Sequence, residues 1–482
     1  METSAQWTID DILEATGGSL VAGPTTGGFA GISIDSRTIQ KDQLFVAIKG
    51  ANYDGHAFVP KLMDSGIKGV IVERQVPDHQ MDRQKLVQWA QEGGCCILVA
   101  DTTRALGDLA GFHRRRMGIP VVAITGSNGK TTTKEMAAAV VATERNTLAT
   151  TGNLNNEIGL PLTLLRLDSS HETAVVELGM NHPGEIDRLG EISQPDVGVI
   201  TNIGPAHLEG LKDTDHVMAA KAELLAHIRP EGSVLLNADD PYNARLREMS
   251  RSRVMQFGFS EDAGCRARNL RQQELATEFE LVLPDAALPV RLPVPGRFMV
   301  ANALAAAAVG HTLGIANAHI RAGLEGFRPV RGRMAHTLTP EGIHVVDDAY
   351  NANPGSMKAA VETLVGLKGD GRGLLIAGDM LELGPDAASF HYEAGRFAAA
   401  RGVDGLYVSG DFADDYVRGA RAGGMDAACA VAASHEEILA QLRKELAAGD
   451  WVMVKGSHST GMDRIVEHII GRGTRSGGGR GA

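Results

Sequence analysis

Residues 120–135 read PVVAITGSNGKTTTKE, an order that predicts a buried strand, a phosphate-binding turn and a helix. VVAIT is a short, β-branched apolar run, the pattern of a strand covered on both faces. It breaks at Gly126, and Lys130-Thr131-Thr132 then opens a helical stretch. Glycines let backbone amides approach phosphate oxygens with no Cβ in the way. The helix start adds unpaired N–H groups and the positive end of its dipole. A lysine placed there reaches terminal phosphates, and the hydroxyl beside it can ligate Mg²⁺. Thr125, Gly126, Ser127, Asn128, Gly129, Lys130, Thr131 and Thr132 are therefore the candidate nucleotide-phosphate site. The spacing departs from the common P-loop: Gly126 and Gly129 bracket two residues, and Ile124 stands where that pattern has its first glycine. The plainer reading is a glycine turn followed by an ordinary helix.

Outward from this stretch the texture is regular. TAVVELG, VGVITNIG and GSVLLNAD are apolar runs ending in Gly, Asn or Asp, separated by helical segments such as KEMAAAVVATE and HVMAAKAELLAHI. Strands alternating with helices predict an α/β fold with a parallel sheet covered on both faces. FMVANALAAAAVGHTLGI reads as an alanine-rich helix, and the basic stretch FRPVRGRM at 327–334 as a boundary. A second alternating unit follows, with IHVVDDAY, RGLLIAGDM, DGLYVSGD and DWVMVKGS as its strands. Before residue 105, short runs such as GISIDSRT, LFVAIKG and GVIVE mix with turns. The expected division is 1–105, 106–328, 329–470 and a flexible glycine-rich tail at 471–482. In open α/β sheets ligands sit beyond the carboxyl ends of strands, so each strand end is a candidate site edge.

Composition mainly excludes. Glycine is 58 of 482 residues, and 47 basic against 59 acidic side chains leave a net charge of −12. So acidic a chain is ill suited to coat nucleic acid or an anionic membrane, though a small anionic ligand needs only local donors. The four cysteines form no CxxC pair, which fits reduced thiols in a cytoplasmic protein. No run of 18 uncharged apolar residues occurs, so no membrane span is expected, and the N-terminus is acidic where a signal peptide is basic.

Three further groups stand at strand ends or just beyond. Glu177 ends AVVELG, His207 follows VITNIG, and Lys221 lies in AAKAELL. A carboxylate beside nucleotide phosphates is a natural Mg²⁺ ligand, and a histidine a secondary one. Taken singly, Glu177 and His207 equally fit surface or capped residues, and nothing local distinguishes Lys221 from a solvated lysine.

TGSNGKTTT, ELGMNHPGEI, TNIGPAHLE and AAKAELL, in this order, resemble the Mur ligase family of ATP-dependent peptide-forming enzymes. VVDDAYNANPGSM at 345–357, with SIDSRT, FVAIKG, DGHAFV and GDMLELG, resembles the branch of that family that adds a dipeptide. The resemblance implies three domains: an N-terminal domain for the UDP end of the substrate, a central P-loop-type ATPase domain and a Rossmann-like C-terminal domain for the acceptor. It implies that UDP-N-acetylmuramoyl tripeptide is activated by ATP as an acyl phosphate and captured by D-alanyl-D-alanine. It implies Mg²⁺ at Thr131, Glu177, His207 and a carbamylated Lys221, with Lys130, Glu177, His207 and Lys221 catalytic. It also implies ATP contacts at Asn302, Arg333 and Asp347, UDP contacts at Ser36 and Arg37, and acceptor contacts at Asn351 and Asn353. Phe298 and Met299 replace the family's His-Asn, and His458 its Arg. The rival enzyme class is a generic P-loop phosphotransferase or motor-like NTPase, against which the short loop and the missing Walker B aspartate argue. A non-catalytic nucleotide binder and the amino-acid-adding sister enzyme are also rivals.

Overall fold

The computed structural model describes residues 7–21, 23–50, 53–75 and 83–471. Among the described residues three large sheets follow one another along the chain, and Trp7–Thr8 pairs with Gly28–Phe29 as a separate two-stranded sheet. The first has five strands in the spatial order Ser19–Leu20, Cys95–Val99, Gly69–Glu73, Gln43–Val46, Gly31–Ser33, parallel except for Ser19–Leu20. The helix Thr102–Met117 joins it to the second sheet. Ala105, Leu106 and Leu109 of that helix pack into the first core and Ala110 into the next, so the connection is rigid rather than a loose linker.

The central sheet has nine strands, with Val121–Thr125 between Thr173–Glu177 on one side and Val197–Ile200 on the other. All five residues of Val121–Thr125 are buried, as expected for a strand covered by helices on both faces. The chain enters the helix Lys130–Val141 directly from this central strand. The alanine-rich helix Arg297–Thr312 lies against it. A Cβ on Gly310 would come 2.6 Å from Val140 Cγ1, so small side chains set that close approach. One edge was not legible in the sequence: Cys265–Gln273, Ala276–Val282 and Ala287–Leu292 form an antiparallel meander on the parallel sheet. Their exposed polar positions carry Arg, Asn and Gln, and Pro289 is tolerated because its strand is outermost.

The third sheet runs Ala335–Leu338, His344–Asp348, Trp451–Lys455, Gly373–Gly378, Gly405–Ser409, Ala430–Ala432, all parallel but the first. One apolar cluster continues from Val122 and Ile124 through Phe327 and Met334 to Val346, Met357 and Leu375, joining the central and C-terminal sheets. Among the described residues no helix is long and apolar enough to cross a membrane. The four cysteines are free, and burial pushes the Cys95 and Cys96 thiols up to about 11 and about 12.

Candidate functional site

The chain leaves Val121–Thr125 towards Thr147–Ala149 on one side and leaves the adjacent Val197–Ile200 towards Ser233–Asn237 on the other, so a crevice opens between their carboxyl ends. The glycine turn fills that end. Gly126 has φ +147° and Gly129 φ +78°. A Cβ on Gly126 would fall 1.9 Å from Thr201 Oγ1, and one on Gly129 2.2 Å from Asn302 Oδ1. Both positions therefore need glycine for conformation and for space. The turn is held from the neighbouring strand end: Ser127 N–H donates to Asn202 O at 2.9 Å, and Asn128 N–H to Asn202 Oδ1 at 2.9 Å. Ser127 Oγ donates to Gly204 O and accepts from Gly204 N–H, each at 2.9 Å. Lys130 Nζ donates to Gly126 O at 2.9 Å. Burial lowers its pKa, against the pull of Glu177, and the charge of Arg333 lowers it further.

A cavity of about 870 Å³ lies against this turn, within the range of small-molecule sites. From the central sheet its walls include Ser127, Asn128, Gly129, Lys130, Thr131 and Thr132, together with Glu177, His207 and Asn302. From the C-terminal sheet they include Arg333, Asn351 and Asn353. The structure thus gathers residues that lie up to 328 positions apart (Ser127 to Lys455) around one space. Phe298 and Met299 also line it.

Glu177 is 2% exposed. Its Oε1 accepts from Asn155 Nδ2 at 2.8 Å, while Oε2 is buried without a partner. An orphaned carboxylate oxygen in a nucleotide cleft is the donor a hard cation takes. His207 reaches across to the C-terminal sheet's loops, its Nδ1 2.5 Å from Glu382 Oε2. That contact holds the Glu382 carboxyl below the usual carboxylate range. Lys221, on the helix Thr214–Ala222, is 1% exposed, and no carboxylate pairs with it among the described residues. Burial, and then the charge of Lys130, push its amine well below the ordinary lysine range. Among the described residues no three His, Cys, Asp or Glu side chains cluster as a ready-made metal site.

The remaining residues have definite places. Asn302 accepts from Thr133 Oγ1 at 3.3 Å and braces Gly129. The Arg333 guanidinium stacks 4.2 Å from the Tyr350 ring centroid. Asp347 is not on the cavity wall. Its two oxygens accept from Gly332 N–H at 2.9 Å and Ala349 N–H at 3.2 Å, so it shapes the turn that presents Arg333. Burial raises its pKa. Asp348, on the opposite face of the strand, is the wall residue, paired with Lys455 Nζ at 2.6 Å. Asn353 caps the helix Pro354–Lys368, and its Nδ2 donates to Asn128 Oδ1 at 2.7 Å, tying the C-terminal sheet to the phosphate turn. Asn351 bonds its own following amide at 2.9 Å. Ser36 and Arg37 lie in the turn that follows the first sheet's strand Gly31–Ser33 and do not line the cavity. Arg37 is 86% exposed and paired with Asp35, whose carboxyl it holds down at about 2. Thr125, Gly126 and Lys221 lie behind the wall.

Sequence reasoning passed over Asn155, Asn202, Asp348 and Glu382, and named Lys455 only within the motif Lys455-Gly456-Ser457 that resembles the family's, without a role. Asp348 and Lys455 end their strands and the others lie in loops beyond strand ends, and the signal available was only that position. GDMLELG carried a family resemblance without a role for Glu382.

Residues 28–114 match the Mur ligase family catalytic domain, 124–310 the Mur ligase middle domain, and 332–458 the Mur ligase glutamate ligase domain. The chain is 33% identical over 440 residues to UDP-N-acetylmuramoyl-tripeptide–D-alanyl-D-alanine ligase of Bacillus subtilis, covering 91% of this chain and 93% of that one. It is 35% identical to the protein of the same name from Escherichia coli, over 92% and 94% of the two chains. Its fold superposes on a crystal structure of MurF from Acinetobacter baumannii with TM-score 0.87 at 33% identity, covering 97% and 99%. For MurF from Thermotoga maritima in complex with ADP the TM-score is 0.80 at 27% identity, covering 92% and 98%. The phosphate turn, the cleft between two sheets and this likeness along nearly the whole length agree: the chain belongs to the Mur ligase family.

Proposed function

We propose that the chain is an ATP-dependent ligase that joins D-alanyl-D-alanine to UDP-N-acetylmuramoyl tripeptide, giving ADP, phosphate and the UDP-muramyl pentapeptide of peptidoglycan synthesis. The observation that carries this reading is that curated relatives of that one name match more than nine-tenths of the chain. The geometry supports it. A ligase must bring a phosphorylated donor to an acceptor amine, and the cleft has a phosphate turn on one wall and Asn351 and Asn353 on the other.

In this reading the tripeptide carboxylate attacks the γ-phosphorus, ADP leaves, and the dipeptide amine displaces phosphate from the acyl carbon. The amides of Gly126–Thr132 and the helix dipole hold the phosphates. Lys130 exchanges its bond to Gly126 O for a phosphate oxygen and offsets the repulsion between two anions. Arg333 and Asn302 lie on the nucleotide side, with Asp347 acting through the Arg333 turn. Asn351 and Asn353 line the wall assigned to the acceptor, where Asn353 holds the wall in place through its bonds to Ser356 and Asn128. Ser36 and Arg37, in the turn after the first sheet's strand Gly31–Ser33, are assigned to the UDP end, in line with the division at 1–105, 106–328 and 329–470.

The side chains fit Mg²⁺. Glu177 offers an unpartnered buried oxygen, Thr131 a hydroxyl at the helix start, and His207 a ring on the cleft wall. Lys221, a buried amine whose pKa burial and the Lys130 charge push well below the ordinary lysine range, is suited to take up CO₂ through its neutral form, losing one proton to become an anionic carbamate donor. Bound there, Mg²⁺ supplies charge stabilisation for the transferring phosphoryl group. Both ATP and the UDP-linked donor are nucleotides, which fits an enzyme of the cytoplasm, and no nucleic acid or membrane partner is assigned. The test is incubation with ATP, Mg²⁺, UDP-muramyl tripeptide and D-alanyl-D-alanine, with the pentapeptide read by mass spectrometry. ATP hydrolysis that ignores both peptide substrates, or joining of a single amino acid in preference to the dipeptide, would overturn it.

A further inference from the structure

Glu382 stands in the segment GDMLELG at 378–384, beyond the carboxyl end of the strand Gly373–Gly378. This loop is held from several sides. Both Asp379 oxygens accept backbone N–H groups, from Asp411 at 2.8 Å and Phe412 at 3.2 Å. Asp379 O accepts from Ser457 N–H at 3.0 Å, and Leu381 N–H donates to Ser457 Oγ at 2.9 Å. Met380 N–H donates to Nε2 of the fully buried His391 at 2.9 Å, and His391 Nδ1 in turn donates to Ala387 O at 2.6 Å. From this anchored turn Glu382 crosses to the central domain. Its carbonyl accepts Glu209 N–H at 3.2 Å, and its Oε2 meets His207 Nδ1 at 2.5 Å. Both residues are non-glycine and left-handed, φ +61° for Glu382 and +55° for His207. Neither backbone adopts that conformation without compensation, and the contact between the two side chains is what it achieves.

A carboxylate can only accept, so the proton of a neutral His207 ring sits on Nδ1, and Nε2 keeps its lone pair. His207 lines the cleft with Lys130, Thr131 and Glu177, whereas Glu382 does not. We propose that Glu382 is a positioning residue, supplied by the C-terminal domain, that fixes the Nδ1–H tautomer and orientation of His207 so that Nε2 is the ligand offered to a divalent cation in the cleft. The inference rests on the ligase reading for the identity of that cation. It makes the central domain's cation site complete only when the C-terminal domain is docked, as carboxylates behind ligating histidines do elsewhere.

The test uses the full chain. Long-range ¹H–¹⁵N spectra of the imidazole rings, with His207 assigned from its loss in H207Q, report the tautomer without any metal or turnover. Mn²⁺ binding in the presence of ADP reports the consequence. In the wild type His207 should be the Nδ1–H form. E382A should move it toward the Nε2–H form and weaken Mn²⁺ about tenfold or more, while E382Q, which keeps an acceptor oxygen, should retain the Nδ1–H form. If E382A does not fold, E382D, a methylene too short, should show the same loss. An Nε2–H ring in the wild type, or an E382A (or E382D) protein with unchanged tautomer and Mn²⁺ affinity, overturns the proposal. Failure of the wild type to form pentapeptide overturns the ligase reading instead, and the spectra decide Glu382 separately.

Discussion

Replacing Lys221 with methionine should make the chain more stable and the enzyme inactive. The lysine is 1% exposed, and burial and the Lys130 charge depress its amine well below the ordinary range. The folded chain therefore sheds a proton that the unfolded chain keeps, over a window from the depressed pKa up to the unfolded value of ~10.4. Inside that window the unfolded state binds more protons, so wild-type stability rises with pH, by up to ~1.4 kcal/mol per pH unit. Extended down to pH 7, this sets a ceiling of about 4–5 kcal/mol on the destabilisation that Lys221 causes there. Methionine is close in volume and has no amine to desolvate. The variant should gain stability at pH 7, and the gain should shrink as pH rises, vanishing near pH 10. Urea unfolding of both proteins in CO₂-free buffer between pH 7 and 9 measures the difference, in which all shared titrations cancel. A gap that does not change with pH, or a methionine variant that is less stable, would mean that the lysine is charged and paired in the folded state. Turnover at the wild-type rate would remove Lys221 from the metal site.

Other substitutions test the rest of the cleft. G126A and G129A place a Cβ 1.9 Å from Thr201 Oγ1 and 2.2 Å from Asn302 Oδ1. Each should destabilise by about 1–3 kcal/mol and lower ATP affinity about tenfold or more, read by melting and calorimetry; wild-type affinity in both would exclude the turn from phosphate binding. E177Q is isosteric and removes a charge that Oε2 holds without a partner. It should fold normally and lose about 10²-fold or more in turnover, and a fully active variant would end the metal-ligand assignment. R37A alters a side chain that is 86% exposed. Its melting temperature should be unchanged while KM for the UDP substrate rises and kcat at saturation holds; an unchanged KM would remove Arg37 from the UDP site.

The strand, glycine turn and helix start were readable because all their determinants are contiguous. A buried β-branched run, glycines where the backbone turns left-handed, and Lys-Thr at a helix start lie within 16 residues, and local sterics decide them. The alternation of strands and helices was readable for the same reason, since burial on both faces leaves an unbroken apolar run. The antiparallel meander was not, because its strands are half solvated at a sheet edge and their charged faces look like loop.

The site divides along the same line. Lys130 and Thr131 follow from their neighbours in the chain, and Glu177 and His207 could at least be named as polar residues at strand ends. That Lys221 is buried without a counter-charge, that Asn353 reaches Asn128, that Asp347 supports a turn while Asp348 faces the cleft, and that Glu382 meets His207 are facts of packing. The Asn353–Asn128 and Glu382–His207 contacts join residues 225 and 175 positions apart. Hydrogen bonds of 2.5–2.7 Å between such groups depend on how helices and sheets dock. Docking is set by the summed fit of apolar surfaces rather than by any local pattern of residues.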